Sequence, residues 1–162
     1  MKKLILVCGP AAIGKSTFCN KYANEHPEEV VRVISADEVR KEMCGSYKNF
    51  PPNKNMAPVY EKIIETAKEY YDTMDNVTVM LDTTLLYDKL RLFFIESLPM
   101  FEDRHLYLLK LHDYTQCLVR NKKRIEEKWV PEEIIISMYT SYEDPSPAVA
   151  SKFVTCKEFY VD

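Results

Sequence analysis

The sequence predicts an α/β fold, a parallel sheet of four or five strands lying between two layers of helices. Three observations carry that reading. Short apolar runs of strand length alternate with longer segments of helical period, the rhythm that builds a parallel sheet wrapped by helices. The 162 residues are 46% apolar, enough to close one core, so a single domain over 1–162 is expected. No repeat, linker or low-complexity stretch divides the chain.

The elements follow in order. Leu4-Ile5-Leu6-Val7-Cys8 marks a strand near 3–8, and a helix begins near Lys15. A second strand near 30–35 runs into Ser35 and Glu38, whose S-x-x-E spacing is that of a capping box opening the next helix. Gly45 to Pro58 is the one long irregular stretch, carrying Tyr47, Phe50, Lys48 and Lys54 in a loop of a length that is often functional. Tyr60, Ile63, Ile64, Ala67, Tyr71 and Met74 then recur at three- and four-residue spacing, a buried stripe on a long helix that Pro58 can open. A strand near 77–82 precedes a helix whose apolar face is Leu90, Phe93, Phe94 and Leu98. Beyond a strand near 105–111, helices are expected over 114–125 and 131–143. Pro131 opens the second of these, with Glu132 and Glu133 complementing the positive end of its dipole. A last strand is expected near 153–160.

Composition excludes several classes of function. Twenty-two Lys plus Arg against 25 Asp plus Glu give a net charge of −3, too acidic for a protein that coats long nucleic acid by counterion release. A short strand end held in a local basic site remains compatible with that charge. The five cysteines are odd in number, dispersed, and form no Cys-x-x-Cys pair, which reads as reduced thiols in a cytoplasm. Lys2-Lys3 and the apolar run after them loosely imitate a signal peptide, but Gly9-Pro10 ends the run short of a secretory core. No run approaches the roughly 18 apolar residues of a membrane span, so no membrane partner is expected. His26, His105 and His112 have no metal-ligand spacing.

Gly9-Pro10-Ala11-Ala12-Ile13-Gly14-Lys15-Ser16 matches G-x-x-x-x-G-K-[ST], placed after an apolar strand and before a helix. Of three glycines in the chain two are here, where backbone N–H groups must turn inward around phosphate oxygens. A nucleoside triphosphate is therefore expected at Gly9, Ala12, Ile13, Gly14, Lys15, Ser16 and Thr17. Lys15 would reach the β- and γ-phosphates, and the Ser16 hydroxyl would serve Mg²⁺. The fold expected from this is the three-layer P-loop type. The strand Thr78-Val79-Met80-Leu81 ends in Asp82, the position from which a carboxylate holds the metal directly or through water. Thr83 and Thr84 follow it rather than a water-activating glutamate, which favours phosphoryl transfer to an acceptor over hydrolysis. A strand-end carboxylate that only caps the following turn is the structural alternative.

Asp37 falls at the carboxyl edge of the sheet, where open α/β folds bind ligands, and a base there can take the proton of an acceptor hydroxyl. Arg40 lies three residues on, so the same spacing also fits a local ion pair. In Arg120-Asn121-Lys122-Lys123-Arg124 the two arginines are four apart and would share one helical face. They either complement a helix C-terminus or neutralise phosphate oxygens from a short lid over about 120–131.

These motifs together resemble the 5′-hydroxyl polynucleotide kinases of bacteriophage type, within the small P-loop kinases. The resemblance runs from Met1 to about Tyr142 and is strongest at Gly9 to Ser16, Asp37-Glu38-Val39-Arg40 and Arg120 to Arg124. It implies a general base at Asp37, an acceptor-phosphate grip at Arg40, nucleotide phosphate contacts at Arg124 and Arg120, and an acceptor contact at Thr83. It also implies ATP with Mg²⁺ and a single-stranded 5′ end of DNA or RNA. The chain departs from the family at Pro10-Ala11-Ala12-Ile13 and at Leu85-Leu86-Tyr87-Asp88, and it carries no D-x-D-G-T phosphatase sequence. A small-molecule hydroxyl, as in nucleoside, sugar-nucleotide or antibiotic kinases, is the rival acceptor. A nucleotide-dependent regulatory module without an acceptor is the rival class.

Overall fold

Each of the five apolar runs forms a strand in the computed structural model, which describes residues 1–162. The strands are β1 (Lys2–Cys8), β2 (Val31–Ser35), β3 (Val77–Asp82), β4 (Asp103–Lys110) and β5 (Thr155–Tyr160). They form one sheet in the order β2-β3-β1-β4-β5, every neighbouring pair parallel. Parallel neighbours require crossover connections, which the seven helices supply. These are α1 (Lys15–Glu25), α2 (Ala36–Cys44), α3 (Ala57–Thr73), α4 (Asp88–Ser97), α5 (Gln116–Lys123), α6 (Glu132–Ser141) and the short α7 (Pro147–Ala150), which no sequence signal marked.

The central strand shows why the sheet is covered on both faces. Leu4, Leu6 and Cys8 join a cluster of 20 buried residues with Val59, Ile63 and Ala67 of α3, Phe94 and Ile95 of α4, and Leu98 just past its end. Ile5 and Val7 point the other way, into a cluster of 11 that includes Cys19 of α1, Cys117 of α5 and Ile135 of α6. Alternate residues of β1 therefore feed opposite cores, and each fully buried Leu or Ile contributes about 1.5–3 kcal/mol. The expected stripe on α3 is this buried face, and Pro58 stands in its first turn.

Cys8, Cys19 and Cys117 are buried, Cys44 is half-buried, Cys156 is exposed, and all five are free thiols. Burial pushes the Cys8 thiol up to about 12 despite the nearby Arg91 guanidinium. Burial, followed by the Asp82 carboxylate, drives Cys19 in the same direction. No helix is long and apolar enough to cross a membrane.

Two local expectations are corrected. The Ser35 hydroxyl accepts from the Glu38 N–H at 3.4 Å, but the Glu38 side chain turns away to the Tyr47 hydroxyl, so only half of the capping box forms. Helix α5 stops at Lys123, and Arg124 is extended with φ −78° and ψ 162°. The cause is Asn121, fully buried, whose side chain donates to the Val130 carbonyl at 2.9 Å and accepts from the Val130 N–H at 3.0 Å. That pairing draws the chain out of the helix, so Arg120 and Arg124 do not share a helical face.

The turn leaving β3 is held by an inward-facing cation. Leu85 takes a left-handed φ of 44°, and fully buried Arg91 donates to its carbonyl at 3.0 Å, to the Glu143 carbonyl at 2.7 Å and to Asp88 at 3.2 Å. Losing this fork leaves two carbonyls and a carboxylate without their donor. Arg91→Ala is expected to lower stability by about 3–5 kcal/mol in urea unfolding, with little recovery in Arg91→Lys, whose single ammonium cannot serve three directions.

Candidate active site

The site is built where parallel strands deliver their carboxyl ends together. Val7 and Ser35 both pair in register with Asp82, so the chains leaving β1, β2 and β3 start from one edge. Gly9 is buried there, and its N–H donates to the Thr84 carbonyl at 2.9 Å. A Cβ on Gly9 would lie 2.8 Å from Ile13 Cγ2, which is why this position excludes a side chain. Ala12 (φ 65°) and Gly14 (φ 107°) are both left-handed, and between them the loop turns to enter α1. Lys15 Nζ lies across the loop, donating to the Gly9 and Pro10 carbonyls at 3.0 and 3.1 Å. Thr17 is exposed on the same first turn.

Ser16 Oγ donates to Asp82 Oδ2 at 2.6 Å. A hydroxyl and a carboxylate oxygen at this separation are hard donors of the kind Mg²⁺ prefers, with phosphate oxygens and water completing its shell. The residues present thus fit that ion. Thr83 is buried beside Asp82.

Arg120 supports the loop from behind. Its guanidinium donates to the Ile13 carbonyl at 2.8 Å, to the Val161 carbonyl at 2.7 Å and to Gln116 at 3.3 Å. It therefore ties the phosphate loop to the segment after β5. Next to it opens a cavity of about 690 Å³ whose walls include Gly14, Thr17, Phe18, Tyr107, Phe159 and Val161. The Phe18 and Tyr107 rings stand 5.0 and 4.9 Å from Phe159. Sequence reasoning did not find this aromatic slot, because its members come from α1, β4 and β5 and share no motif.

On the opposite flank Asp37 is exposed at the start of α2, with Arg40 Nη2 at 3.4 Å and Arg124 Nη2 at 3.9 Å. The structure thus brings Asp37 and Arg124 together although they lie far apart in the chain. Arg40 sits otherwise than as an open grip on an acceptor phosphate. It is 8% exposed, and its Nη1 donates to the Tyr47 carbonyl and to the Asn49 carbonyl at 2.6 Å. Its geometry is that of a tether for the 45–50 loop.

That loop and the lid are clasped. Glu127 accepts from the Ser46 hydroxyl at 3.1 Å and the Tyr47 N–H at 3.3 Å, while Lys48 Nζ donates to the Trp129 carbonyl at 3.0 Å. Tyr47 is buried between the ammonium groups of Lys41 and Lys128, 4.4 and 4.7 Å from its ring centre, and donates its hydroxyl to Glu38. That hydrogen bond, with burial behind it, pushes the Tyr47 phenol up to about 12. Trp129 is fixed by its Nε1–H to the Arg124 carbonyl at 2.8 Å and by Lys122 over its ring at 4.2 Å. Tyr47 and Glu127 belong to no recognisable motif, and Glu38 was legible only as a capping-box residue, not as the partner of Tyr47.

A family model described as AAA domain matches residues 4–145, from β1 to just beyond α6. The chain belongs to this AAA-domain family. No curated protein matches the sequence. Solved structures do resemble the fold. A gluconokinase from Sinorhizobium meliloti 1021 is 18% identical with a TM-score of 0.63, over 98% of this chain and 82% of that one. Kti12 of Chaetomium thermophilum, in complex with ADP-AlF3, is 14% identical with a TM-score of 0.66, over 98% and 89%. A chain of the Pnkp1/Rnl/Hen1 RNA repair complex is 17% identical with a TM-score of 0.72, over 94% of this AAA domain and 46% of that chain. At these identities the likeness is one of fold.

The clasp has a pH signature. Hydrogen bonds from the Tyr47 N–H and the Ser46 hydroxyl hold the Glu127 carboxyl below its ordinary value of 4.5. A depressed carboxyl stabilises the clasp fully above that value and loses the contribution as pH falls through its lower folded one. Trp129 is the sole tryptophan. Its emission is expected to shift to the red below about pH 4.5, and Glu127→Ala is expected to show the shifted spectrum already at pH 7. Identical spectra in the two proteins across that range would show that the clasp does not hold the lid.

Proposed function

We propose that this AAA domain is an ATP-dependent phosphotransferase that moves the γ-phosphate to a hydroxyl, with the 5′-hydroxyl of a nucleic-acid end as acceptor. The observation that carries the reading is Asp37, exposed at the carboxyl edge of the sheet between Arg40 and the lid's Arg124. A hydrolase needs only a water beside the phosphate. A carboxylate projecting from a separate helix, on the side of the site away from the aromatic slot, suits a second substrate.

In this reading the triphosphate lies in the Gly9–Ser16 loop with its phosphates against the amino end of α1, and its base enters the slot beside Thr17, Phe18 and Phe159. Lys15 exchanges the Gly9 and Pro10 carbonyls for phosphate oxygens. Ser16 and Asp82 would hold Mg²⁺, which would neutralise phosphate charge. Asp37 Oδ accepts the proton of the acceptor hydroxyl as that oxygen bonds to the γ-phosphorus. The bond to the bridging oxygen breaks and ADP leaves with the electron pair. In this reading Arg124, 3.9 Å from Asp37, neutralises the developing charge, and Thr83, next to Asp82 in the chain, contacts the acceptor. Arg120 acts by holding Ile13, a positioning residue rather than a phosphate ligand.

The nucleic-acid acceptor is supported by the sequence resemblance to phage-type 5′-kinases at Asp37-Glu38-Val39-Arg40 and at the lid. One observation favours a small-molecule hydroxyl instead. Arg40 is committed to two loop carbonyls and is not presented to a terminal phosphate.

Transfer of label from γ-labelled ATP, offered in parallel to 5′-hydroxyl oligonucleotides and to nucleosides, sugars and aminoglycosides, decides the acceptor. Oligonucleotides are expected to take the label. Label appearing only on small molecules overturns the nucleic-acid part, and acceptor-independent phosphate release untouched by Asp37→Asn overturns transfer itself. With the true acceptor, Asp37→Asn is expected to reduce turnover by about 10²–10⁴ while leaving nucleotide binding intact. Arg124→Ala is expected to cost up to about 10³–10⁵ in turnover, as for arginines that neutralise phosphoryl charge.

A further inference from the structure

The 45–54 loop presents one aromatic ring outward while burying the other. Tyr47 is enclosed by Lys41, Lys128 and Glu38, whereas Phe50 is 47% exposed. The Phe50 ring is not a loose side chain. The Arg40 guanidinium lies 4.3 Å from its centroid, and Lys54 Nζ lies 5.7 Å away. The backbone beneath is stiff on both sides. Arg40 pins the Asn49 carbonyl at 2.6 Å, Pro51 is buried, and the turn continues through Pro52 into left-handed Asn53 (φ 58°) and Lys54 (φ 54°). The ring forms part of a shallow depression of about 620 Å³ bordered by Met43, Lys48, Asn49, Asn53 and Lys54, and no acidic side chain lines it. An exposed aromatic alone is ordinary. A ring fixed face-on to a guanidinium, among amides and lysines and with no carboxylate, is a surface for a flat, electron-rich ligand carrying negative charge.

Its position identifies that ligand. Asp37, Arg40 and Phe50 form a continuous chain of contacts, the carboxylate 3.4 Å from the guanidinium and the guanidinium 4.3 Å from the ring centre. The platform is therefore one side chain away from the proposed base, the distance scale of a neighbouring nucleotide rather than of a separate site. We propose that Phe50 stacks a nucleobase of the single-stranded acceptor close to its 5′ end, with Lys54 facing the strand's phosphates. This rests on the nucleic-acid acceptor reading above and deepens it. It also gives the Arg40 geometry a purpose: the arginine holds the loop and backs the ring, and the strand is recognised by stacking, which every base can satisfy. The acidic net charge of the chain is no obstacle, since the basic groups needed are few and local.

The test uses the full chain without nucleotide. Single-stranded oligonucleotides with a 5′-hydroxyl and 2-aminopurine at the first or second position report stacking by loss of fluorescence. Phe50→Ala is expected to weaken binding by about 5- to 150-fold and to restore the probe's emission. Phe50→Trp is expected to retain binding, whereas Phe50→Leu, which keeps apolar bulk, is not. Lys54→Ala is expected to lower the slope of log affinity against log salt by about 0.7, uniformly across sequences. Unchanged melting temperature and ATP-analogue affinity in Phe50→Ala confirm an intact fold. Wild-type affinity and quenching in Phe50→Ala overturn the proposal, even where oligonucleotides are labelled and the acceptor reading stands. Phe50-dependent binding of an oligonucleotide that takes no label upholds the platform and overturns the acceptor reading. No binding by the unaltered protein overturns both.

Discussion

The parallel register of β1, β2 and β3 is the constraint from which the site descends. Because Val7 and Ser35 both oppose Asp82, the phosphate loop, the Asp82 carboxylate and the start of α2 must emerge at one edge. An antiparallel neighbour would have sent one of them to the far end of the sheet. The register is in turn enforced by burial on both faces. Shifting a strand by one residue would carry Leu4 and Leu6 into the α1 side and Ile5 and Val7 into the α3 side, and every packed layer would have to rearrange.

A second level of organisation lies outside the sheet. Two irregular segments, 45–54 and 124–131, are ordered chiefly by each other, through Glu127, Lys48 and Tyr47. The fixed points behind them are Asn121, which closes the base of the lid, and Arg40, which ties down the other loop. Ordering by a handful of polar contacts on partly exposed backbone is weaker than ordering by a core, so these two segments open at lower free energy than the sheet.

Most of the architecture was legible in the sequence for the reason that both layers of a parallel sheet leave periodic traces. The five strands, the stripe on α3, the proline starts of α3 and α6 and the phosphate loop were all written in local patterns. Short α7 was not, since four residues cannot establish a period. The end of α5 was missed because it is decided by a tertiary contact between Asn121 and Val130, and local propensity carries no record of that pairing. Of the site residues, Ser16 and Asp82 were legible from motif and were found in contact, and Asp37 lies beside Arg124. Arg40 was legible as a residue but not in its partners: spacing pointed to a carboxylate three positions away, whereas two carbonyls nine or fewer residues downstream also claim it. The aromatic slot of Phe18, Tyr107 and Phe159 was invisible, being assembled from three elements far apart in the chain.

The distribution of thiols has its own consequence. Cys8 and Cys19 sit on opposite faces of the first βα unit, sealed beneath the phosphate loop, while Cys156 lies on the outside. As long as that unit is closed, alkylating reagents and oxidants meet exposed Cys156 and half-buried Cys44 rather than this inner pair. The inner pair becomes reactive when the loop and its flanking layers part, so the folded chain carries two silent reporters of breathing at the very place where phosphate would be held.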